Sequence, residues 1–251
     1  MNRLGIIDWG IGGISVYRLI KEQVGDVSVT YFSDTGVTPY GKMSRAELAS
    51  RLDTVIEFLK TQDVSHVVIG CNAASTAIPY LSDHRIPVNG VILPAVELTA
   101  KLDPSDLGLI GGRRTVVSGV YRMAFAAKKI GVRQRIAQPL SGFIESGDVS
   151  SDKLRGEAKR ILSPLKKCSH ILLACTHYPA ITPLLAEFVS PKTKFIDPAS
   201  SLVTISKNWK LSTEGNDVFY TSGNAAAMKT AAGNAFGVNI KRVKTVDITR
   251  I

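Results

Sequence analysis

Short apolar runs punctuate this chain, separated by longer stretches in which apolar positions recur every three to four residues. The runs are RLGIID (3–8), VSVTYFSD (27–34), SHVVIGC (65–71), PVNGVIL (87–93), LGLIGG (107–112), SHILLAC (169–175) and KFIDP (194–198). They are apolar on both faces, as strands are in a parallel sheet covered by helices on each side. The periodic stretches predict helices over residues 13–24, 44–61, 75–82, 94–102, 115–129, 151–167, 180–189 and 224–236. Strand–helix alternation of this kind predicts a doubly wound α/β fold.

Two of the runs are near copies. SHVVIGC and SHILLAC each carry Ser-His, three aliphatics, a small residue and a cysteine, which sets Cys71 and Cys175 104 positions apart. LGIID (4–8) and LGLIG (107–111) are related by an offset of 103. Two pairs in nearly one register point to a duplicated α/β unit. Ligands of open α/β sheets sit beyond the carboxyl ends of the strands, and both cysteines stand at such ends. Halves that face each other would bring the two thiols together across one cleft.

Composition narrows the class without changing the fold. The chain has 251 residues, 45% hydrophobic and 21% charged, which suits one large globular domain or two small ones. Its start, MNRLGIIDWG, is short in apolar residues and carries Asp8, unlike a secretory signal, and no run approaches the ~20 apolar residues of a membrane span. A soluble, cytoplasmic protein is expected. Three cysteines and no CxxC pair argue against a disulfide framework and a zinc site. The net charge of +10 raises the question of a polyanion partner. Basic residues are dispersed through helical stretches such as SDKLRGEAKRILSPLKK, however, so solvated helix faces are the favoured reading and nucleic-acid binding is not expected.

A thiol titrates near neutrality and is a strong nucleophile. One thiolate in a cleft suggests nucleophilic catalysis, whereas two on opposite faces of a substrate suggest acid–base chemistry. One takes a proton from carbon and the other returns one to the far face, inverting the centre. Cys71 is followed by Asn72 and Ser75, and Cys175 by Thr176 and His177, while Cys168 has no polar company and reads as a buried strand cysteine. His66 and His170 read as structural. GVTPYGKM (36–43) has P-loop spacing but Met43 in place of the metal-binding hydroxyl, and nucleotide binding is disfavoured. The GIGG turn (10–13) offers N–H groups that could hold an anion such as a carboxylate.

These motifs together resemble the cofactor-independent aspartate/glutamate racemases, closest to the glutamate type, over nearly the whole chain. IIDWGIGGISV, YFSDTGVTPYGKMS, GCNAAS, IGGRRTVVSGVY, PLSGFIESG, ACTHYP and FYTSG all have counterparts there. The resemblance implies two similar doubly wound α/β domains related by pseudo-symmetry, residues 1–92 plus 206–251 and residues 93–205, with the active site between them. It implies Cys71 and Cys175 as the acid–base thiols, Asp8 assisting Cys71, and His177 and Glu145 assisting Cys175. Pro39, Tyr40 and Gly41 would line the side-chain pocket, and Asn72, Thr176 and Thr115 would hold the α-carboxylate. It implies no cofactor and no metal, a small amino acid as substrate, D-glutamate supply for a cell wall as the role, and a homodimer as the candidate assembly.

Three positions depart from the family pattern. Trp9 replaces a Ser, Ala73 replaces a Thr, and Gly112 stands where a Thr is frequent; each removes a hydroxyl. A lost hydrogen bond to a charged group costs about 1.5–3 kcal/mol. Trp9 and Ala73 would border the substrate, the indole turned either inward or away. Two other readings therefore stay open: a racemase of another amino acid such as aspartate, and a racemase-like binding protein without turnover.

Overall fold

The computed structural model describes residues 2–248, so Met1 and residues 249–251 of the expected first domain lie outside the described residues. In chain order the strands are β1 (Arg3–Asp8), β2 (Val29–Ser33), β3 (Val64–Ile69), β4 (Val88–Gly90), β5 (Leu107–Gly111), β6 (Val132–Ile136), β7 (His170–Ala174), β8 (Lys194–Ile196), β9 (Val218–Thr221) and β10 (Val243–Thr245). They form a six-stranded sheet, β10-β9-β2-β1-β3-β4, and a four-stranded sheet, β6-β5-β7-β8. Every pairing is parallel.

The order β2-β1-β3-β4 recurs as β6-β5-β7-β8, and the register recurs with it. Leu4 lies opposite His66 and Ile6 opposite Val68; Leu107 lies opposite His170 and Leu109 opposite Leu172. The near-copies in the sequence are thus the two central strands of a repeated unit. The result is two pseudo-symmetric α/β lobes, the first extended by β9 and β10 from the end of the chain.

One core runs through both lobes. Leu4 and Ile6 of β1 share a buried cluster with Leu107 and Leu109 of β5 and with Ile14, Ala95 and Leu202. Those last three belong to helices Gly13–Gln23, Ile92–Lys101 and Ala199–Ser206, which pack in series between the sheets. Alternate strand positions face opposite ways, so Ile7, Phe32 and Ile69 enter a second cluster under helix Arg45–Lys60. Helix Ala199–Ser206, which the periodicity did not predict, spans the expected boundary at 205/206 and packs on helix Gly13–Gln23.

Several expected elements are shorter than their apolar patterns. The 115–129 stretch is two helices, Arg113–Val117 and Val120–Ala127, broken where Gly119 takes φ 71°. Glycine adopts that left-handed conformation without the steric cost other residues carry. Pro79 lies in the 3₁₀ turn Ile78–Tyr80 that stands in the 75–82 stretch, and the 151–167 stretch is helix Asp152–Leu162 followed by a 3₁₀ turn, Ser163–Leu165, that contains Pro164. In PVNGVIL only Val88–Gly90 is strand, and Ile92 already opens a helix. Among the described residues no helix is long and apolar enough to cross a membrane.

Beyond β2 a buried charge ties the first lobe together. Asp34, fully buried, accepts from Arg51 Nε at 2.8 Å and Nη2 at 2.6 Å, from Tyr40 Oη at 2.7 Å and from Ser222 Oγ at 2.7 Å. Removing one partner of a buried ion pair strands the other charge, at a cost of about 3–5 kcal/mol. Arg51→Ala is therefore expected to lower unfolding free energy by roughly that amount in urea denaturation; a loss within experimental error would show that Asp34 is satisfied without the guanidinium.

Candidate active site

The carboxyl ends of β1, β3 and β7 deliver the candidate chemistry. Asp8 is the last residue of β1 and fully buried. Gly10 N donates to its Oδ1 at 2.8 Å, and Thr176 Oγ1 donates to its Oδ2 at 3.2 Å from the other lobe. Burial raises the Asp8 pKa, a rise opposed by the nearby His177 charge. Cys71 leaves β3 in extended conformation, φ −107° and ψ 123°, and caps the short helix Asn72–Ser75. Burial and then the Asp8 carboxylate hold the Cys71 thiol well above its ordinary range, with backbone N–H groups of Ala74 and Trp9 acting the other way. The Cys175 charge also reaches Cys71, so the two thiols share one electrostatic environment.

Cys175 follows β7 directly. Its Sγ lies 3.6 Å from His177 Nδ1, and His177 Nε2 lies 2.6 Å from Glu145 Oε2. Burial alone would lower the His177 pKa, but Cys175 and Glu145 on either side push it well above the usual imidazole value. A protonated ring can donate both N–H groups, one toward the sulfur and one to the carboxylate. Glu145, the last residue of helix Gln138–Glu145, also accepts from Ile11 N at 3.0 Å.

That bond answers what the GIGG turn holds. Two of its N–H groups are taken by the protein's own carboxylates, Gly10 by Asp8 and Ile11 by Glu145, so those two donors are not offered to a ligand. Close approach explains the glycines. A Cβ on Gly12 would sit 2.6 Å from His177 Nδ1, and one on Gly10 would sit 2.1 Å from Glu145 Oε2.

The remaining expected residues differ in what they still offer. Asn72, 3% exposed, accepts from Tyr121 Oη at 2.7 Å, while its buried Nδ2 has no acceptor within the described protein. Tyr121 was not singled out by sequence; it comes from the other lobe, and no local pattern marks the pairing. Thr115 is buried in helix Arg113–Val117, and the Thr176 hydroxyl donates its hydrogen bond to Asp8. The Tyr40 hydroxyl is spent on Asp34, which leaves that residue its backbone and ring edge for any pocket. Pro39 O accepts from Lys42 N in the same turn, Gly41 is exposed, and Ala73 is half-buried. The indole N–H of Trp9 donates to Val37 O at 3.1 Å, and the ring packs against the first lobe's second cluster. Cys168 is buried beside Arg133, away from this constellation, and His66 stacks on Trp209.

The arrangement has relatives. The sequence profile of the Asp/Glu/hydantoin racemase family matches residues 4–205. A glutamate racemase of Synechococcus sp. is 35% identical over 202 residues, covering 78% of this chain and 75% of that protein. One from Bacillus cereus is 30% identical over 98% of this chain and 97% of its own length. Among solved structures, glutamate racemase from Francisella tularensis in complex with D-glutamate superposes with a TM-score of 0.88 at 25% identity, covering 100% of this chain and 99% of that one. A Bacillus anthracis glutamate racemase gives 0.85 at 26% identity over 98% and 97% of the two chains.

The raised His177 pKa sets a pH dependence. In the unfolded chain an imidazole titrates near about 6.5, so the stability gained from the folded pairing is fully present below that pH. It is lost as pH rises through the higher folded value. Comparing wild type with His177→Asn by chemical denaturation, the stability gap is expected to narrow from about pH 6.5 upward; a gap that widens with pH would mean that the ring is neutral in the folded protein.

Proposed function

The chain belongs to the Asp/Glu/hydantoin racemase family, and from that premise we propose that Cys71 and Cys175 are the two acid–base groups with which it inverts the α-carbon of glutamate. It is a cofactor-independent racemase of glutamate-like substrates. The observation that supports these residue roles is the pairing of each thiol with its own proton-handling neighbour, Asp8 for Cys71 and His177–Glu145 for Cys175, the two sets joined by the Thr176–Asp8 hydrogen bond.

An α-proton is very weakly acidic, so charge developing on carbon must be stabilised as it forms. In the proposed step one cysteine thiolate takes the proton, the C–H bond breaking as S–H forms. The electron pair left on carbon then takes the proton of the opposite thiol. His177 supplies the positive charge beside Cys175, and Asp8 accepts or returns the proton beside Cys71. Asn72 Nδ2, held in orientation by Tyr121, donates to the substrate α-carboxylate with Thr115 nearby. Thr176, its hydroxyl donating a hydrogen bond to Asp8, is available as an acceptor for the α-ammonium group. Pro39, Tyr40 and Gly41 border the side chain through backbone, and Trp9 and Ala73 form the adjoining apolar wall. The proposed role is D-glutamate supply for a cell wall, and the proposed assembly is a homodimer. Nucleic acid is not a proposed partner, since the basic residues are spread over the helices.

Replacing Cys71 or Cys175 by Ala is expected to reduce racemisation in both directions by at least the roughly 10²–10⁴-fold typical of a lost acid–base group, followed by the change in optical rotation from each pure enantiomer. Near-full activity in either single variant would refute the two-thiol scheme.

Trp9 supplies the test of substrate. With its indole bound to Val37 O rather than to a ligand, Trp9→Ser is expected to leave kcat/KM for glutamate unchanged or lower. A rise of about 10-fold, the worth of one hydrogen bond to a charged group, would show that the ring obstructs glutamate and that another amino acid is preferred.

A further inference from the structure

Beside the cleft lies a second concavity of about 420 Å³, bordered by Gly41, Arg45, Thr76, Tyr80, Arg113 and Arg114. These residues lie in the segments after the carboxyl ends of β2, β3 and β5, so both lobes contribute. No Asp or Glu lines it. None of the three arginines takes part in an ion pair among the described residues. Arg45 lies with its guanidinium carbon 4.5 Å from the Tyr80 ring centroid. Arg114 reaches across the lobes, donating from Nε to Thr76 Oγ1 at 2.9 Å and from Nη1 to Met43 O at 2.6 Å. The backbone N of Arg113 is held by Gln138 Oε1 at 3.0 Å.

We propose that this concavity binds a phosphate monoester, at a site separate from the reacting thiols and shared between the two lobes. Like charges gathered in one concavity repel one another unless an anion joins them. Arg45 and Arg114 are close enough that the charge of one is felt by the other. Guanidinium forks match phosphate oxygens two at a time, and a dianion gives each lobe's arginine its own partner. A phosphate monoester brings up to two negative charges and no cation, whereas an amino acid would also bring an ammonium group to three cations and no carboxylate. The lining also includes Val117 and Met123, 66% and 61% exposed, which suits the organic part of an ester better than inorganic phosphate alone. The volume falls in the range of small-molecule sites.

Calorimetric titration with phenyl phosphate at low ionic strength tests this without reference to turnover, so failure of the racemase reading would leave the result interpretable. Saturable binding of one ligand per chain is expected, weakened at least about 10-fold by Arg45→Glu in one lobe and by Arg113→Glu in the other, and retained in saturating L-glutamate. Phenylacetate, a monoanion of similar shape, should bind more weakly. Arg113→Gln gives the same comparison if charge reversal impairs folding. Absence of saturable binding, wild-type affinity in the variants of either lobe, equal binding of phenylacetate, or displacement by glutamate would each overturn the proposal.

Discussion

How closely the first lobe's glycine turn approaches the His177–Glu145 pair governs the architecture of the cleft. Any side chain at position 10 or 12 would occupy the space of the carboxylate or the imidazole, which would have to leave its present place to admit it. With only hydrogen there, Ile11 N reaches Glu145, Thr176 reaches Asp8, and a hydrogen-bonded path runs from Cys175 through His177 and Glu145 into the opposite lobe. The same approach keeps the shared core closed, since helix Gly13–Gln23 begins where the turn ends. Reaction geometry and lobe packing are therefore one constraint, met by the smallest residue.

Several ionisable groups are buried at this junction, and their mutual charges decide what each can do. Asp8 and Cys71 are like-charged when ionised, and burial disfavours both anions. His177 is the compensating cation, and its own burial is offset by Cys175 and Glu145. Groups so placed are costly to fold around, yet they are the ones whose proton affinity can be shifted into a working range. Asp34 illustrates the contrast. It too is buried, but four donors saturate it, which leaves it a structural anchor for the turn that carries Tyr40.

Interior strands were readable because they are apolar on both faces: β1, β3, β5 and β7 all coincide with aliphatic runs. Edge strands β4 and β8 also fell within such runs, but edge strands β6 and β10 did not. In VRQRI of β6 and VKT of β10 one or both faces meet solvent, so the pattern resembles any polar loop. At the site, the twin cysteines stood out by position at strand ends, whereas Asp8 and the pairing of Glu145 with His177 came only through resemblance to a family. Tyr121 and Asn72 are 49 positions apart and meet across the lobes, a contact no local spacing can announce. The GIGG turn shows the complementary limit: its sequence advertises free N–H groups but not that the chain's own carboxylates claim them.

The unequal neighbours of the two thiols carry a thermodynamic consequence. Mirror-image amino acids have identical free energies in water, so the equilibrium constant between them is one. An imidazolium beside one sulfur and a carboxyl group beside the other make the forward and reverse proton removals chemically distinct. Their maximal rates can therefore differ. Detailed balance then requires that kcat/KM be the same for both enantiomers, so whichever is turned over faster must half-saturate the enzyme at a proportionally higher concentration. The duplicated fold provides two entrances for a proton; divergence of its halves can redistribute occupancy and speed between them, but never tilt the final mixture.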